Sequence, residues 1–516
     1  MNPIVRARRL ALVGAVALAA ACGTTVPQGL QSAGGQAGGL SSGPQSGATS
    51  GPASGQQPIL PGSSNGAVVG SSGGGTTEPG SSSGTQAPGT AVKPAPIAAG
   101  ASGFGYDAKH FYIGMPTARD SAAAFKAAGA NFDNGDVEAD VAAIVGDINR
   151  SGGVLGRQLV PVFHDLSTAK VLANPAAAGQ EVCTYFTQDR PVIAVVIGFP
   201  QLEELENMHR CLEAKKVTSI AVSNTLYSSQ DFSRLGPHLW SLLTPPTELL
   251  VPTFLESLNH QQFFTGWDTT SGKPGAAPVK VGVLLPDSRV GHAVFALMQN
   301  SLATLGRKAD GSFFYGSTGS GNGSQAAVLQ FKAAGITHIL DLPPVEGDIG
   351  SFQSNSEQQR YRPRHAFTSF NLPSSIETNA ALAPPAQQVG SLGIGFQPGN
   401  DTDDAHKPSP TPGYARCIAA LARGGQTFHG KRHAETVGLS LCDAFYLLRD
   451  AAKAGGGFSG AALLAGMPVA RTPVAGTFAN GLSPTSKGLP GVYREERYDS
   501  TCSCFVYTGG NRPFHR

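Results

Sequence analysis

The chain has 516 residues and a formal charge of +2, and 41% of its residues are hydrophobic. This length exceeds what one hydrophobic core usually serves, so two or more compact units are expected. The nearly balanced charge, without a Lys/Arg cluster near the start, argues against a nucleic-acid partner, because binding phosphates requires a concentrated basic surface.

The N-terminus has the pattern of a bacterial secretory signal. Arg6, Arg8 and Arg9 precede an apolar run over 10–21 that is too short for a permanent membrane span. Small residues lead to Cys22, so the pattern resembles a lipoprotein signal in which this cysteine is acylated. It predicts a signal peptide over 1–21 and a lipid anchor on the extracytoplasmic face of the cell membrane. Secretion without a lipid is the alternative.

The next segment is poor in charge and in large side chains. Over 24–100 it consists mainly of Gly, Ser, Pro, Gln, Thr and Ala, and its charged residues are Glu78 and Lys93. Such a segment buries too little apolar surface to offset the entropy lost on ordering. The composition predicts a disordered, lipid-anchored linker over 22–104.

After Phe104, short β-rich runs alternate with helical patterns. Apolar residues from Val137 to Ile148 have helical spacing that stops at Gly152, and a second helix through Leu441 is predicted to stop at 455–457. Alternation of this kind predicts an α/β fold of two doubly wound, parallel-sheet lobes. Seven strands are expected, at 111–115, 158–163, 192–197, 219–222, 279–285, 338–342 and 389–396.

Six cysteines remain besides Cys22, and an even number outside the cytoplasm predicts disulfide bonds. The expected pairs are Cys183 with Cys211 and Cys417 with Cys442, since each closes a loop within one stretch of alternating elements. Cys502 and Cys504 are only two residues apart, and a bond between them closes a strained ring, so bonds to other partners stay open. A zinc site at these two is less favoured, because no second pair of ligands accompanies them.

Several segments together resemble the type 1 periplasmic-binding proteins that serve branched-chain amino acid ABC importers. The similar segments are Phe111 to Pro116, Asp147 to Arg157 with the following strand to Asp165, Val195 to Gly198, Ile220 to Ser223, Lys280 to Leu285, Ala333 to Leu340 and Cys442 to Gly455. The resemblance implies two lobes joined by a hinge: a first lobe at 105–245, completed by about 397–470, and a second at 246–396, completed by about 471–516.

In open parallel sheets, ligands bind at the carboxyl ends of the strands. The loops expected to form the site in the first lobe are 116–121, 199–201 and 224–228, and in the second lobe 286–292, 343–348 and 371–374. The candidate ligand-binding residues in these loops are Arg119, Ser121, Phe199, Asn224, Thr225, Tyr227, Asp287, Glu346, Asp348 and Asn371.

The resemblance also implies roles for these residues. Ser121, Asn224 and Thr225 match positions that hold a ligand carboxylate, Tyr227 matches an aromatic residue across the ligand, and the second-lobe acids would meet a cationic group. The loop after Gly198 has Phe199-Pro-Gln where the family usually has a serine, so Arg119 is the expected replacement anchor for a carboxylate. Plainer roles stay open: helix capping for Asp287 and Asn224, a solvated charge for Arg119, and packing for Tyr227.

These features predict an extracytoplasmic solute-binding lipoprotein that captures a small polar metabolite, an amino acid or a related carboxylate or amide, for an ABC importer. The resemblance implies the importer's permease as a partner. A sensing or protein-binding receptor of the same fold is the alternative. No cofactor or metal is expected, and no catalytic activity, because the sequence has neither a Gly-x-Ser-x-Gly elbow nor a His-Glu-x-x-His motif.

Overall fold

The computed structural model describes residues 101–127, 133–203, 205–315, 323–342, 346–378, 383–478, 487–488 and 491–514. The chain divides into the units Met1–Gln86 and Ala87–Arg516, and every described residue belongs to the second unit. The predicted signal peptide, Cys22 and the linker up to residue 100 lie outside the described residues.

The strands are β1 His110–Thr117, β2 Gln158–Asp165, β3 Ala194–Ile197, β4 Thr218–Ala221, β5 Leu239–Ser241, β6 Trp267–Asp268, β7 Lys273–Pro274, β8 Val281–Pro286, β9 Ala309–Tyr315, β10 His338–Asp341, β11 Arg364–Thr368, β12 Leu392–Gly395, β13 Val492–Asp499, β14 Cys504–Tyr507 and β15 Arg512–Pro513. All seven predicted strands are present.

The α-helices are α1 Ser121–Ala127, α2 Val137–Arg150, α3 Thr168–Ala173, α4 Pro175–Thr184, α5 Pro200–Glu203, α6 Glu206–Ala214, α7 Ser229–Leu235, α8 Thr247–His260, α9 Arg289–Thr304, α10 Ser324–Ala334, α11 Glu346–Gln358, α12 Pro373–Thr378, α13 Pro385–Gln388, α14 Pro398–Asp401, α15 Pro412–Arg423, α16 Arg432–Gly455 and α17 Gly460–Gly466. Among these described helices, none combines the length and hydropathy needed to cross a bilayer.

The first lobe contains a five-stranded parallel sheet in the order β2-β1-β3-β4-β5. Helices α2, α15 and α16 cover one face of this sheet and contribute to the same core as Ala194 and Val196 of β3. On the opposite face, Val195 and Ile197 pack with α4 and α6. The chain therefore returns to the first lobe late, because α15 and α16 follow β8 to β12 of the second sheet, and it then returns to that sheet for β13 to β15.

The second lobe contains a larger, mixed sheet in the order β14-β13-β12-β11-β10-β8-β9, to which β15 adds at β13. Strands β8 to β12 are parallel, as predicted, but β13 runs antiparallel to β12 and β14 antiparallel to β13. This departs from the expected all-parallel sheet. The pairing of β14 with β13 is antiparallel because a short hairpin joins them, and only antiparallel strands can be joined in that way. Val283 and Leu285 face α8 and α9, whereas Leu284 faces α10 and α11.

Local signals account for the ends of two long helices. Asp136 caps α2 by accepting a hydrogen bond from the Ala139 amide, and the helix ends before Gly153, whose φ is +66°. A Cβ atom on Gly153 would lie 2.1 Å from the Arg157 carbonyl oxygen, so the turn admits only glycine there. Helix α16 ends at Gly455, followed by Gly456 in the left-handed conformation, as the glycine triplet predicts.

The six described cysteines form three disulfide bonds. Cys183 pairs with Cys211 and Cys417 with Cys442, as expected from the sequence. Cys502 pairs with Cys504 rather than with a more distant partner. The intervening Ser503 has a φ of +56°, which turns the chain so that the two side chains meet.

A buried polar cluster joins the two lobes. Gln397, which follows β12, donates from Nε2 to Asn224 Oδ1 at 2.8 Å and to the Leu243 carbonyl at 2.7 Å, both in the first lobe. Its Oε1 accepts from Asn400 Nδ2 at 2.6 Å, and its side chain has no exposed surface. We call Gln397, Asn224, Asn400 and the Leu243 carbonyl the hinge node.

We predict that Gln397→Leu lowers the free energy of unfolding by about 3 kcal/mol, because it leaves two acceptors and one donor without their partner in a buried site. Chemical unfolding of the purified protein measures this loss. The matched control is Gln358→Leu at an exposed position at the end of α11, which we expect to change stability by less than about 0.5 kcal/mol. Equal effects of the two substitutions would show that the hinge node does not stabilise the fold.

Candidate functional site

A cavity of about 690 Å³ lies where the carboxyl ends of β1, β3 and β4 meet the hinge. The first lobe supplies most of its wall, from the segments 115–122, 134–138, 198–201, 222–224 and 433–441. Leu372, which follows β11 in the second lobe, and Asn400 of the hinge close the remaining side. The volume is in the range of small-molecule sites, and the position is where parallel sheets bind ligands.

The wall is mainly apolar, with hydrogen-bonding groups set among the apolar ones. Met115, Val137, Phe199, Val437 and Leu441 are among its apolar members. The neutral polar side chains on the wall are Thr117, Ser121, Asn134, Gln201, Ser223, Asn224, Asn400, Thr436 and Ser440. A ligand in this cavity would bury an apolar part against the wall and form hydrogen bonds with these polar side chains.

Arg119 lines the cavity, but a carboxylate of the protein already binds its guanidinium. Nε and one terminal nitrogen donate to the two oxygens of Glu138, each at 2.9 Å. These hydrogen bonds raise the pKa of Arg119 above its ordinary value. Glu138 lies in the first turn of α2, where the helix dipole also favours a negative charge. The bidentate site expected for a ligand carboxylate is thus occupied within the protein.

Three more predicted residues lie on the cavity wall. Ser121 starts α1 and is buried, and Phe199 is half-buried before α5. Asn224 lines the cavity and also accepts the hydrogen bond from Gln397, so it belongs both to the wall and to the hinge node.

Four of the other predicted residues, all of them described by the structure, do not line this cavity. Thr225 is buried, with its hydroxyl 3.3 Å from that of Ser223, and the Tyr227 hydroxyl donates to the Glu203 carbonyl. Asn371 is buried and accepts from the Thr368 amide, and Asp287 lies 2.9 Å from His292 Nε2 with most of its side chain exposed. The side chains of Glu346 and Asp348 lie outside the described residues.

Two segments of the wall were absent from the sequence prediction. The segment 134–138, at the start of α2, contributes Asn134 and Glu138, and α16 contributes His433, Thr436 and Ser440. His433 Nε2 lies 2.9 Å from Asn134 Oδ1, and burial lowers the pKa of His433 to about 4, so its ring is neutral at pH 7. The helical periodicity continues to the start of α16, but it does not show which sheet edge that helix crosses.

The lobes also meet through an ion pair at the edge of the cleft. Arg289, in the first turn of α9, binds the buried carboxylate of Asp231 on α7. Both helices follow strands at their carboxyl ends, so the pair joins the two lobes on the side of the cleft. Arg289 lies in the predicted loop 286–292, although it was not among the predicted ligand contacts.

Glu203 holds the loop after β4 from beneath the cavity. Its Oε1 accepts hydrogen bonds from the backbone amides of Val222 and Ser223, each at 3.0 Å. Glu203 itself is fully buried. Burial raises the pKa of Glu203 to about 7, although hydrogen bonds from Ser223 and Thr225 act in the opposite direction. The strand end that carries Ser223 and Asn224 therefore depends on a carboxyl group that is largely neutral below pH 7.

No charged group on the wall is arranged as a metal site. Among the described residues, one group of three His, Cys, Asp or Glu side chains converges closely enough to hold a metal ion, at His406, Cys502 and Cys504, and none of the three lines the cavity.

Comparisons with known proteins identify the fold. The chain is similar to a solute-binding protein of an ABC transporter from Rhodopseudomonas palustris HaA2, solved with p-hydroxybenzoic acid, with a TM-score of 0.56, 12% identity, and coverage of 79% of this chain and 98% of that chain. A branched-chain amino acid ABC transporter protein from Thermus thermophilus with bound valine has a TM-score of 0.54 and 14% identity, with 78% and 96% coverage.

A fatty acid ABC transporter substrate-binding protein from Thermomonospora curvata is also similar, with a TM-score of 0.53, 13% identity, and coverage of 80% of this chain and 93% of that chain. No protein-family model matches the chain, and no curated protein sequence matches it. The chain therefore has the two-lobed fold of solute-binding proteins, as the sequence resemblance predicted.

We predict that Glu203→Gln flattens the dependence of stability on pH. Between pH 4.5, the ordinary pKa of Glu, and about 7, unfolding releases a proton from Glu203, so the free energy of unfolding falls as the pH rises. This loss amounts to about 3 kcal/mol in total, and the amide variant lacks it while retaining an oxygen that accepts from the two amides.

Urea unfolding at pH 4.5 and pH 8 checks this prediction. The variant and the parent protein should be equally stable at the lower pH, and the variant more stable at the higher pH. Asp189→Asn removes an exposed carboxylate and is the control that should leave the pH dependence unchanged. A Glu203→Gln variant that loses as much stability as the parent on going to pH 8 would contradict the assignment.

Proposed function

We propose that this protein is an extracytoplasmic, lipid-anchored solute-binding protein that captures one small metabolite in the cavity and delivers it to an ABC importer. The observation that carries the proposal is the cavity itself, which lies at the strand ends of the first lobe and is bordered by Asn400 of the hinge and Leu372 of the second lobe. Closure of two lobes over such a site is a general mechanism for capturing a solute. The lipid anchor on Cys22 and the permease partner follow from the sequence resemblance.

The cavity supports a ligand that combines an apolar body with a small polar end. An amino acid or a related carboxylate or amide fits this description. Among the solved proteins of similar fold, one has p-hydroxybenzoic acid bound, one has valine bound, and one belongs to a fatty acid transporter. These compounds share an apolar part and a carboxyl group. In the chain described here, neutral hydroxyl and amide side chains such as Ser121, Ser223 and Asn224 would meet the polar end, since Glu138 already binds Arg119.

The pairing of charged side chains on the cavity wall favours neutral ligands over charged ligands of similar shape. The guanidinium of Arg119 is matched by Glu138, His433 is neutral, and Asp136 adds a negative charge as the cap of α2. A ligand carboxylate would meet no unpaired cation among these wall residues, whereas an amide would find both donors and acceptors. We therefore propose an amide or a zwitterionic amino acid ahead of a simple carboxylate.

The test is a screen of the purified protein against matched pairs: valine and 3-methylbutanoate, 4-hydroxybenzoate and 4-hydroxybenzamide, and decanoate and decanamide. We predict that at least one compound raises the melting temperature and binds with a Kd of about 1 μM by calorimetry. Within the pair that binds, the amide or the zwitterion should bind more tightly than the simple carboxylate.

A substitution in the cavity wall provides the control. Val437→Trp should fill the space and abolish binding while the protein still folds, and Leu329→Trp places the same side chain on an exposed position of α10 and should not alter binding. Equal binding by both variants, or no binding by the parent to any compound, would contradict the proposal. If the protein binds a compound but cells that lack the protein take up that compound at the same rate, the result would support capture of the solute. It would favour the receptor alternative over delivery to an importer.

A further inference from the structure

The hairpin between β13 and β14 contains the close disulfide of the second lobe. Cys502 is exposed in the turn, and Cys504 begins β14 and is buried. The strand register pairs Cys504 with Asp499, and Cys502 Sγ lies 3.5 Å from the Asp499 carbonyl oxygen. One cysteine of the pair is therefore open to solvent, whereas the other is fixed by the sheet.

The segment that connects β12 to α15 brings a histidine to this disulfide. His406 Nδ1 lies 3.4 Å from Cys504 Sγ, although the two residues are 98 positions apart in sequence. The same nitrogen lies 2.7 Å from Asp403 Oδ1, so the carboxylate orients the ring toward the sulfur. The Nδ1 and both Sγ atoms all lie within 4.8 Å of one another.

We propose that Cys502, Cys504 and His406 form a redox-gated site for a thiophilic divalent cation such as Zn²⁺, which binds only after the disulfide is reduced. Sulfur and imidazole nitrogen are the donors that Zn²⁺ prefers. In a tetrahedral site, bond lengths of about 2.3 Å to sulfur and 2.0 Å to nitrogen place these two atoms about 3.5 Å apart. The distance from His406 to Cys504 already matches this value, and only the exposed Cys502 must move.

The chemistry requires a dithiol reductant. Thiolate attack breaks the bond between the two protein sulfurs, a disulfide forms within the reductant, and two thiols remain on the protein. The metal then replaces the two thiol protons, and the neutral imidazole of His406 binds it through Nδ1 while its one ring proton resides on Nε2. The three protein ligands leave one tetrahedral position, which a water molecule would take. In the oxidised protein the sulfurs are bonded to each other and are poor ligands, so the disulfide closes the site.

The experiment uses Co²⁺ as a spectroscopic probe of the full chain. The protein is reduced with dithiothreitol without denaturant, separated from the reductant under anaerobic conditions, and titrated with Co²⁺. We expect one equivalent to bind with a thiolate-to-cobalt charge-transfer band, and no band in the oxidised protein. Cys417 and Cys442 are buried and should stay paired under these conditions.

Variants assign the ligands. Cys502→Ser with Cys504→Ser should abolish the band, which also excludes cobalt bound at other reduced cysteines. His406→Ala should weaken binding by about tenfold or more through the loss of a ligand, whereas His429→Ala, at an exposed histidine between α15 and α16, should bind like the parent. Absence of binding by the reduced parent, a band that persists in the double serine variant, or equal affinity of His406→Ala and the parent would overturn the proposal.

Discussion

The arrangement of the two lobes depends on the hydrogen bonds of one buried side-chain amide, that of Gln397. Gln397 can reach its partners only when Asn224 and the Leu243 carbonyl of the first lobe lie against the end of β12 in the second. Burying an amide without partners is costly, so the hydrogen bonds specify one approach of the lobes more strongly than apolar contacts alone would. The node also lies beside the cavity, because Asn224 and Asn400 belong to both. The stability of the hinge and the shape of the cleft therefore have the same physical origin.

The second organising feature is that charges around the cleft are neutralised within the protein. Glu138 binds Arg119, burial keeps His433 neutral and Glu203 largely protonated below pH 7, and Asp231 binds Arg289 across the lobes. Arg119, chosen from the sequence as a ligand contact for its charge, thus pairs with another residue of the chain. What is left for a solute is an apolar wall with neutral hydrogen-bonding groups, and selectivity would rest on their positions.

Much of the fold could be predicted because the spacing of apolar residues within single segments indicates which segments form strands and helices. The seven strands and the helices α2 and α16 have apolar spacing and glycine stops that act over a few residues, and the order of segments resembles a known family. Two of the strands that were not predicted have weak local signals. Strand β5 has three residues, and β9 begins with Ala309, Asp310 and Gly311, which are poor strand formers.

The site was less predictable than the fold because it depends on contacts between distant segments. Loop positions identified Arg119, Ser121, Phe199 and Asn224 at the cavity, but His433 and Thr436 reach it only because α16 returns from the far end of the chain. The same holds for His406, which the fold places against Cys504. Sequence spacing shows neither kind of contact.

Under the proposed function, the two lobes move closer together when a solute binds in the cavity, while the hydrogen bonds of the hinge node persist. Small-angle X-ray scattering of the unit Ala87–Arg516, with and without a compound found to bind, tests this claim most directly. We expect the radius of gyration to fall when the ligand saturates the protein, and to stay unchanged when the ligand is added to the Val437→Trp variant. An unchanged radius of gyration at saturation would contradict closure and with it the account of the cleft.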